Sequence, residues 1–109
     1  VLFDFVEPWK VDLREYMNNN FTSDLDLEGF AHYTGRSLSA FKKDFVEAFH
    51  ESPMKWIVSR RLQEARQLME QRGERANDVY LRVGFKNLSH FSTAFKRQFG
   101  FPPSAIVMA

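Results

Sequence analysis

Leu88-Ser89-His90-Phe91-Ser92-Thr93-Ala94-Phe95-Lys96-Arg97-Gln98-Phe99-Gly100, followed by Pro103, repeats a pattern met 50 residues earlier, where Phe41, Phe45, Phe49 and Pro53 answer Phe91, Phe95, Phe99 and Pro103. Leu38-Ser39-Ala40-Phe41 opens the first copy as Leu88-Ser89-His90-Phe91 opens the second. Phenylalanines at i, i+4 and i+8 share one stripe of a helix and belong to the core. A Pro after a short break suits the first turn of the next helix. The chain thus carries one small helical device twice, which suggests two grips on one extended ligand.

Each copy is preceded by a short helix and a glycine. Ala31-His32-Tyr33-Thr34-Gly35 leads into the first and Tyr80-Leu81-Arg82-Val83-Gly84 into the second. A small residue where two helices nearly touch, then a Gly that permits a left-handed turn, is the form of a helix-turn-helix. Tyr80 departs from it, standing where Ala31 stands. The glycines are 49 apart and the phenylalanines 50 apart, so the second turn holds one extra residue.

The periodicities predict an all-α fold of about seven helices, forming two helix-turn-helix subdomains joined by a long linker helix. Residues 1–7 are expected to be a linker stub from a longer protein, 8–53 the first subdomain, 54–72 the linker helix and 73–109 the second subdomain. The first helix is expected over Pro8–Asn18, ended by the Asn18-Asn19-Asn20 run. The second is expected to be capped from Thr22-Ser23-Asp24, with Leu27, Phe30 and Ala31 on its apolar side, and the third to be capped near Ser37. Ser52-Pro53 starts a long helix to about Arg72, with Gly73 past its end. A fifth helix is expected over Asp78–Val83, a sixth over Asn87–Phe99, and a stub from Pro103.

Composition is globular, with 44% hydrophobic and 27% charged residues, and the 12 Phe among them belong inside. The absence of cysteine removes disulfide and thiolate chemistry. No apolar run nears the ~20 residues that span a bilayer, and the first residues do not read as a signal peptide, so a cytoplasmic location is expected. Net charge is +1, unevenly spread: residues 1–50 hold 5 Lys+Arg against 9 Asp+Glu, a balance of −4, and residues 51–109 hold 10 against 5, a balance of +5. Such asymmetry can turn a basic face to a polyanion.

With the Phe stripe inward, the opposite stripe of each helix is free to enter a groove. The first offers Arg36, Ser39, Ala40, Lys42 and Lys43. The second offers Lys86, Ser89, His90, Ser92 and Thr93, with Lys96 and Arg97 further along. The linker helix, from Met54 to Gln71, spans about 27 Å at roughly 1.5 Å per residue, commensurate with major-groove segments recurring about every 34 Å. His32, His50 and His90 lack metal-ligand spacing. Arg60 and Arg61 suit either phosphate binding or pinning neighbouring helix ends through their carbonyls. Glu64, Arg66, Glu70 and Arg72 read as a solvated face with local ion pairs, and Trp9 and Trp56 as packing anchors.

The stretch Leu88–Gly100, with Val83-Gly84-Phe85 before it and Pro102-Pro103-Ser104 after it, resembles the C-terminal signature of the AraC/XylS family of bacterial transcription regulators. Gly35-x-Ser37 with its Phe-rich helix, Ser52-Pro53 and Arg61-Leu62-x-x-Ala65 resemble that family's first unit and linker helix, so the likeness covers about residues 9–105. It implies sequence-specific binding of double-stranded DNA in transcription control, with two recognition helices in successive major-groove segments. By the resemblance, Ser39, Lys42 and Lys43 contact bases from the first helix, and Ser89, Ser92 and Thr93 from the second. Arg36, Ser37, Asn87 and Lys96 are the candidates for phosphate contacts. An effector or dimerisation domain is expected elsewhere in the full protein, and RNA polymerase is a further candidate partner.

No cofactor or metal is called for. An enzyme is disfavoured by the lack of a Gly-rich phosphate loop, a His-Glu-x-x-His motif or a cysteine. The alternative is a helical module that binds protein without binding DNA.

Overall fold

The computed structural model describes residues 11–106. Its elements in chain order are α1 (Leu13–Asn20), α2 (Leu27–Tyr33), α3 (Leu38–Phe49), α4 (Pro53–Arg72), α5 (Ala76–Val79), α6 (Leu88–Phe99) and a 3₁₀ turn (Pro103–Ala105). Six α-helices and one 3₁₀ turn, with no strand among the described residues, bear out the all-α expectation of about seven helices. Among the described residues, no helix is long and apolar enough to cross a membrane.

Several boundaries differ from expectation. Pro8 and Trp9 lie outside the described residues, and α1 begins at Leu13, where Asp12 Oδ1 accepts from Glu15 N at 3.2 Å. The asparagines do not end α1 early: they form its last turn, Asn18 and Asn20 donating side-chain N–H to the carbonyls of Arg14 and Tyr16 at 2.8 Å each. Asp26, not residues 22–24, caps α2, its Oδ1 accepting from Gly29 N at 2.8 Å, because a capping side chain reaches only the amides two or three residues ahead of it. Finally, α5 stops at Val79, and residues 80–84 form turns rather than helix.

The chain forms two compact units. One runs through Asn20 and resumes over Leu25–Trp56; the other takes Phe21–Asp24 and the chain from Ile57 onward. In the first unit, α3 packs against α1 and α2, with Leu13, Met17, Phe30, Ala31, Phe41, Phe45 and Trp56 buried. The stripe reads as spaced: Phe41 and Phe45 are fully enclosed, whereas Phe49 is half-buried. Phe49 stacks on Phe45 at 4.3 Å between ring centroids and meets Trp56 at 4.5 Å. Trp56 is thus a packing anchor.

The second unit repeats the scheme. Phe91 and Phe95 are fully enclosed in a core with Leu62, Ala65, Leu68, Met69, Val79, Val83 and Phe85. The half-buried Phe99 meets Phe95 at 4.6 Å, and the Arg66 guanidinium lies 4.8 Å over its ring. Burying a Phe is worth roughly 1.5–3 kcal/mol, so two enclosed rings on one helix fix its rotation more firmly than any surface contact.

Arg61 occupies an apolar stripe of α4, four residues after Ile57 and four before Ala65, both buried. Its Nε donates to Phe21 O at 2.7 Å, Nη2 to Ser23 O at 3.1 Å and Nη1 to Gly84 O at 3.2 Å. Of the two expected roles, Arg61 fills the carbonyl-pinning one. Burial pulls its pKa below the usual arginine value, and the charge of Asp24 opposes that shift. Gly84 lies directly against the guanidinium: a Cβ there would sit 2.6 Å from Arg61 Nε, and its φ of +109° is one that L side chains rarely adopt.

The ends of α3 and α6 supply a matched pair. Both close through a left-handed residue, His50 (φ 62°) and Gly100 (φ 86°), whose N–H donates to Val46 O and Lys96 O at 2.8 Å. Only one of the two is a glycine. His50→Gly is therefore expected to stabilise the chain by about 0.5–1 kcal/mol through relief of left-handed strain, while Gly84→Ala is expected to destabilise it by about 3 kcal/mol from strain plus the clash. Urea midpoints of the two variants check the opposite signs.

Candidate nucleic-acid interface

Two turns of the same construction set up two helices. After α2, Arg36 N donates to Ala31 O at 2.8 Å and Gly35 N to His32 O at 3.1 Å, with Gly35 at φ 74°. Before α6, Phe85 N donates to Tyr80 O at 2.9 Å and Gly84 N to Leu81 O at 3.1 Å. This nested pair is the Schellman closure of a helical turn around a left-handed residue. Tyr80 keeps it intact: it is half-buried where Ala31 is buried, and the hydrogen bonds are equivalent.

Each following helix then begins on a side-chain cap. Ser37 Oγ accepts from Ala40 N at 3.2 Å, and Asn87 Oδ1 accepts from His90 N at 2.6 Å. Both capping residues are exposed, and each cap pairs one of the amide donors that a helix N-terminus leaves open. Ser37 and Asn87, expected at phosphate, sit at these helix starts, their acceptors used in capping.

With the rings inward, Ser39, Lys42 and Lys43 are exposed on α3, and neither lysine has a hydrogen bond or ion pair among the described residues. On α6, Ser89 and Thr93 are exposed, as are His90, Lys96 and Arg97. Ser92 is only half-buried and lines a cavity instead of standing on the open stripe. Cationic side chains thus fall early on α3 and late on α6. Where α6 carries Lys96 and Arg97, α3 carries Val46 and Glu47.

Arg36 departs from its expected place at phosphate. Its Nε pairs with Asp44 Oδ2 at 2.8 Å, and its Nη1 donates to Val11 O at 3.0 Å and Thr34 O at 2.9 Å. With its side chain only 9% exposed, Arg36 holds the first turn rather than reaching outward. Asp44 lies eight residues along the chain, two helical turns down the inward edge of α3. Lys86 is exposed and faces Asp24 at 3.3 Å.

The residues that sequence reading missed are structural supports of the interface: Asp26 at the α2 cap, and Asp44 beneath Arg36. A signal existed for the role of Arg61, whose register on the apolar stripe demanded buried acceptors. Among the described residues, no group of His, Cys, Asp and Glu is placed to hold a metal.

A family model described as "Helix-turn-helix domain" matches residues 30–108. The chain is 33% identical over 92 residues to the virulence regulon transcriptional activator VirF of Yersinia enterocolitica, covering 84% of this chain and 34% of VirF. It is 30% identical over 92 residues to the HTH-type transcriptional regulator ExsA of Pseudomonas aeruginosa, covering 84% of this chain and 33% of ExsA. The chain therefore spans about a third of the length of these relatives. Among solved structures, the C-terminal domain of AraT, a response regulator from Geobacillus stearothermophilus, is similar at a TM-score of 0.80 and 26% identity, covering 89% of this chain and 84% of that one. The DNA-binding domain of AdpA, solved with a target DNA, shares the fold at a TM-score of 0.79 and 24% identity, covering 85% of this chain and 84% of that one.

The contrast between Arg36 and its exposed neighbours is measurable in stability. Arg36→Ala is expected to cost about 2–3 kcal/mol by leaving Asp44 and two carbonyls without their charged donor. Lys42→Ala, on open surface, is expected to change stability by less than about 0.5 kcal/mol. Equal unfolding midpoints for the two variants would refute the internal role of Arg36.

Proposed function

The chain belongs to the AraC/XylS family of helix-turn-helix transcription regulators, and on that premise we propose that it binds double-stranded DNA sequence-specifically, with α3 and α6 as recognition helices in successive major-groove segments. One observation carries this reading: two identically closed turns each present a helix whose aromatic stripe is enclosed and whose opposite stripe is polar. A helix presented this way offers side chains that can reach base edges, and a cap whose amides favour phosphate.

Ser39, Lys42 and Lys43 read bases from α3, and Ser89 and Thr93 from α6, with Ser92 at the margin. Ser37, Asn87 and Lys96 contact phosphate, and Arg36 is withdrawn from that set. A Lys donates to guanine O6 or N7, whereas Ser and Thr discriminate less, so the two sub-sites differ in sequence. The 20-residue α4 is about 30 Å long at roughly 1.5 Å per residue, commensurate with the ~34 Å repeat of the duplex. We read residues 8–53 and 73–109 as the two subdomains and 54–72 as their link.

The family is one of transcription regulators rather than enzymes, and the reading involves no catalysis. It places the protein in the cytoplasm, with RNA polymerase as a further partner and an effector or dimerisation domain as part of a longer protein. A protein-binding module would need apolar anchors on the exposed stripes; the side chains there are mostly Ser, Thr, Lys, Arg, His and Glu, and Val46 is the one large apolar side chain exposed on α3 or α6.

Selection from random duplex DNA at two salt concentrations is expected to yield an asymmetric site of two short sub-sites, bound less tightly at higher salt. Lys43→Ala is expected to lower affinity for that site by roughly 1–3 kcal/mol, with a smaller loss on random DNA. Equal losses on both would make Lys43 a phosphate contact, and salt-independent or absent binding would overturn the function.

A further inference from the structure

The second unit contains a cavity of about 400 Å³ bounded by α4, α5, α6 and the 3₁₀ turn. That size falls within the roughly 300–1,000 Å³ typical of small-molecule sites. Its apolar wall includes Met69, Leu88, Pro103 and Ile106, and α6 adds Ser92. Two charges of opposite sign also line it, and they are not equivalent. The Glu74 carboxylate is already paired with Arg82, whereas the exposed Arg75 guanidinium has no hydrogen bond or ion pair among the described residues. The site therefore combines an apolar body, one uncommitted cation and neutral polar groups from Asn77, Ser92 and Ser104. A polyanion would find a single charge to pair with and would leave the apolar wall unfilled.

We propose that this cavity binds a small amphipathic monocarboxylate, its carboxylate on Arg75 and its apolar body against Met69, Leu88 and Pro103. Ser92 and Leu88 belong to α6, so the occupant bears on the helix that reads DNA. Bound ligand competes for the Ser92 hydroxyl and shifts the start of α6, weakening DNA binding. The ligand site stands on the cavity alone; its effect on DNA rests on the function proposed above.

The test uses the ¹⁵N-labelled chain titrated with 2-naphthoate, with 2-naphthol as the neutral comparison. Saturable amide shifts are expected at Ala76, Leu88, Ser92 and Ile106. Arg75→Gln, an exposed position with no internal partner, is expected to bind naphthoate about tenfold more weakly, as loss of a charge-assisted pair requires, and 2-naphthol to bind as weakly. Absence of saturable shifts, or equal affinity for the acid and the alcohol, or for the wild type and Arg75→Gln, overturns the site. Saturating naphthoate is then expected to lower the DNA affinity of the wild type several-fold and, at the same concentration, to leave Arg75→Gln nearly unaffected. Unchanged DNA affinity in a chain that binds naphthoate overturns the coupling while leaving the site. A chain that binds naphthoate but no DNA overturns the proposed function and the coupling together.

Discussion

Enclosing two aromatic rings one helical turn apart is the constraint from which the rest follows. With Phe41 and Phe45, or Phe91 and Phe95, at zero exposure, a helix has no freedom to roll, since turning it would bring a ring into water at the cost of its burial energy. The opposite stripe is then outward by geometry rather than by any contact of its own. In the proposed DNA-binding role, short polar side chains such as Ser39, Ser89 and Thr93 would need no contacts of their own to point outward: their direction is set by the core.

The same backbone closure is secured by an arginine in both turns, but by different routes. In the first turn, Arg36 follows the glycine itself and bonds the Thr34 and Val11 carbonyls and the Asp44 carboxylate. In the second turn, Arg61 arrives from α4 and bonds the Gly84 carbonyl together with those of Phe21 and Ser23. A guanidinium suits both places because its planar fork presents several donors in fixed directions. Lysine would offer one point of charge where two or three carbonyls must be met. The second turn has a further condition, since Arg61 lies where a Cβ at position 84 would have to be.

Periodicity made the fold legible, and its limits explain what sequence did not show. The Phe stripes, the glycine turns, α4 and the cap at Ser37 all depend on neighbours within about one or two turns, so spacing alone reports them. The exposure of Lys42 and Lys43 follows from the same arithmetic. Arg36 looked outward in sequence because its partners are a carbonyl 25 residues away and an aspartate eight residues on, and main-chain carbonyls carry no residue signature. The two acceptors nearest the chain start for Arg61 are 40 and 38 residues distant. The cap of α2 was misplaced because Thr22, Ser23, Asp24 and Asp26 are all competent, and only the position of the first helical turn selects among them.

Tyr80 shows how far a local rule can bend without breaking the device. A small residue is expected where the short helical turn meets its partner, and Ala31 meets that expectation by being wholly enclosed. A tyrosine cannot be enclosed in the same space, yet its carbonyl accepts the same bond from the residue after the glycine, at 2.9 Å against 2.8 Å. The half-buried ring packs against the edge of the core with its remainder in solvent, so the extra volume is accommodated outward rather than between the helices. The turn thus depends on main-chain geometry and on Gly84, and it accepts a large, half-buried side chain at position 80. That division leaves the presentation of α6 intact and allows the surface around it to diverge from that around α3.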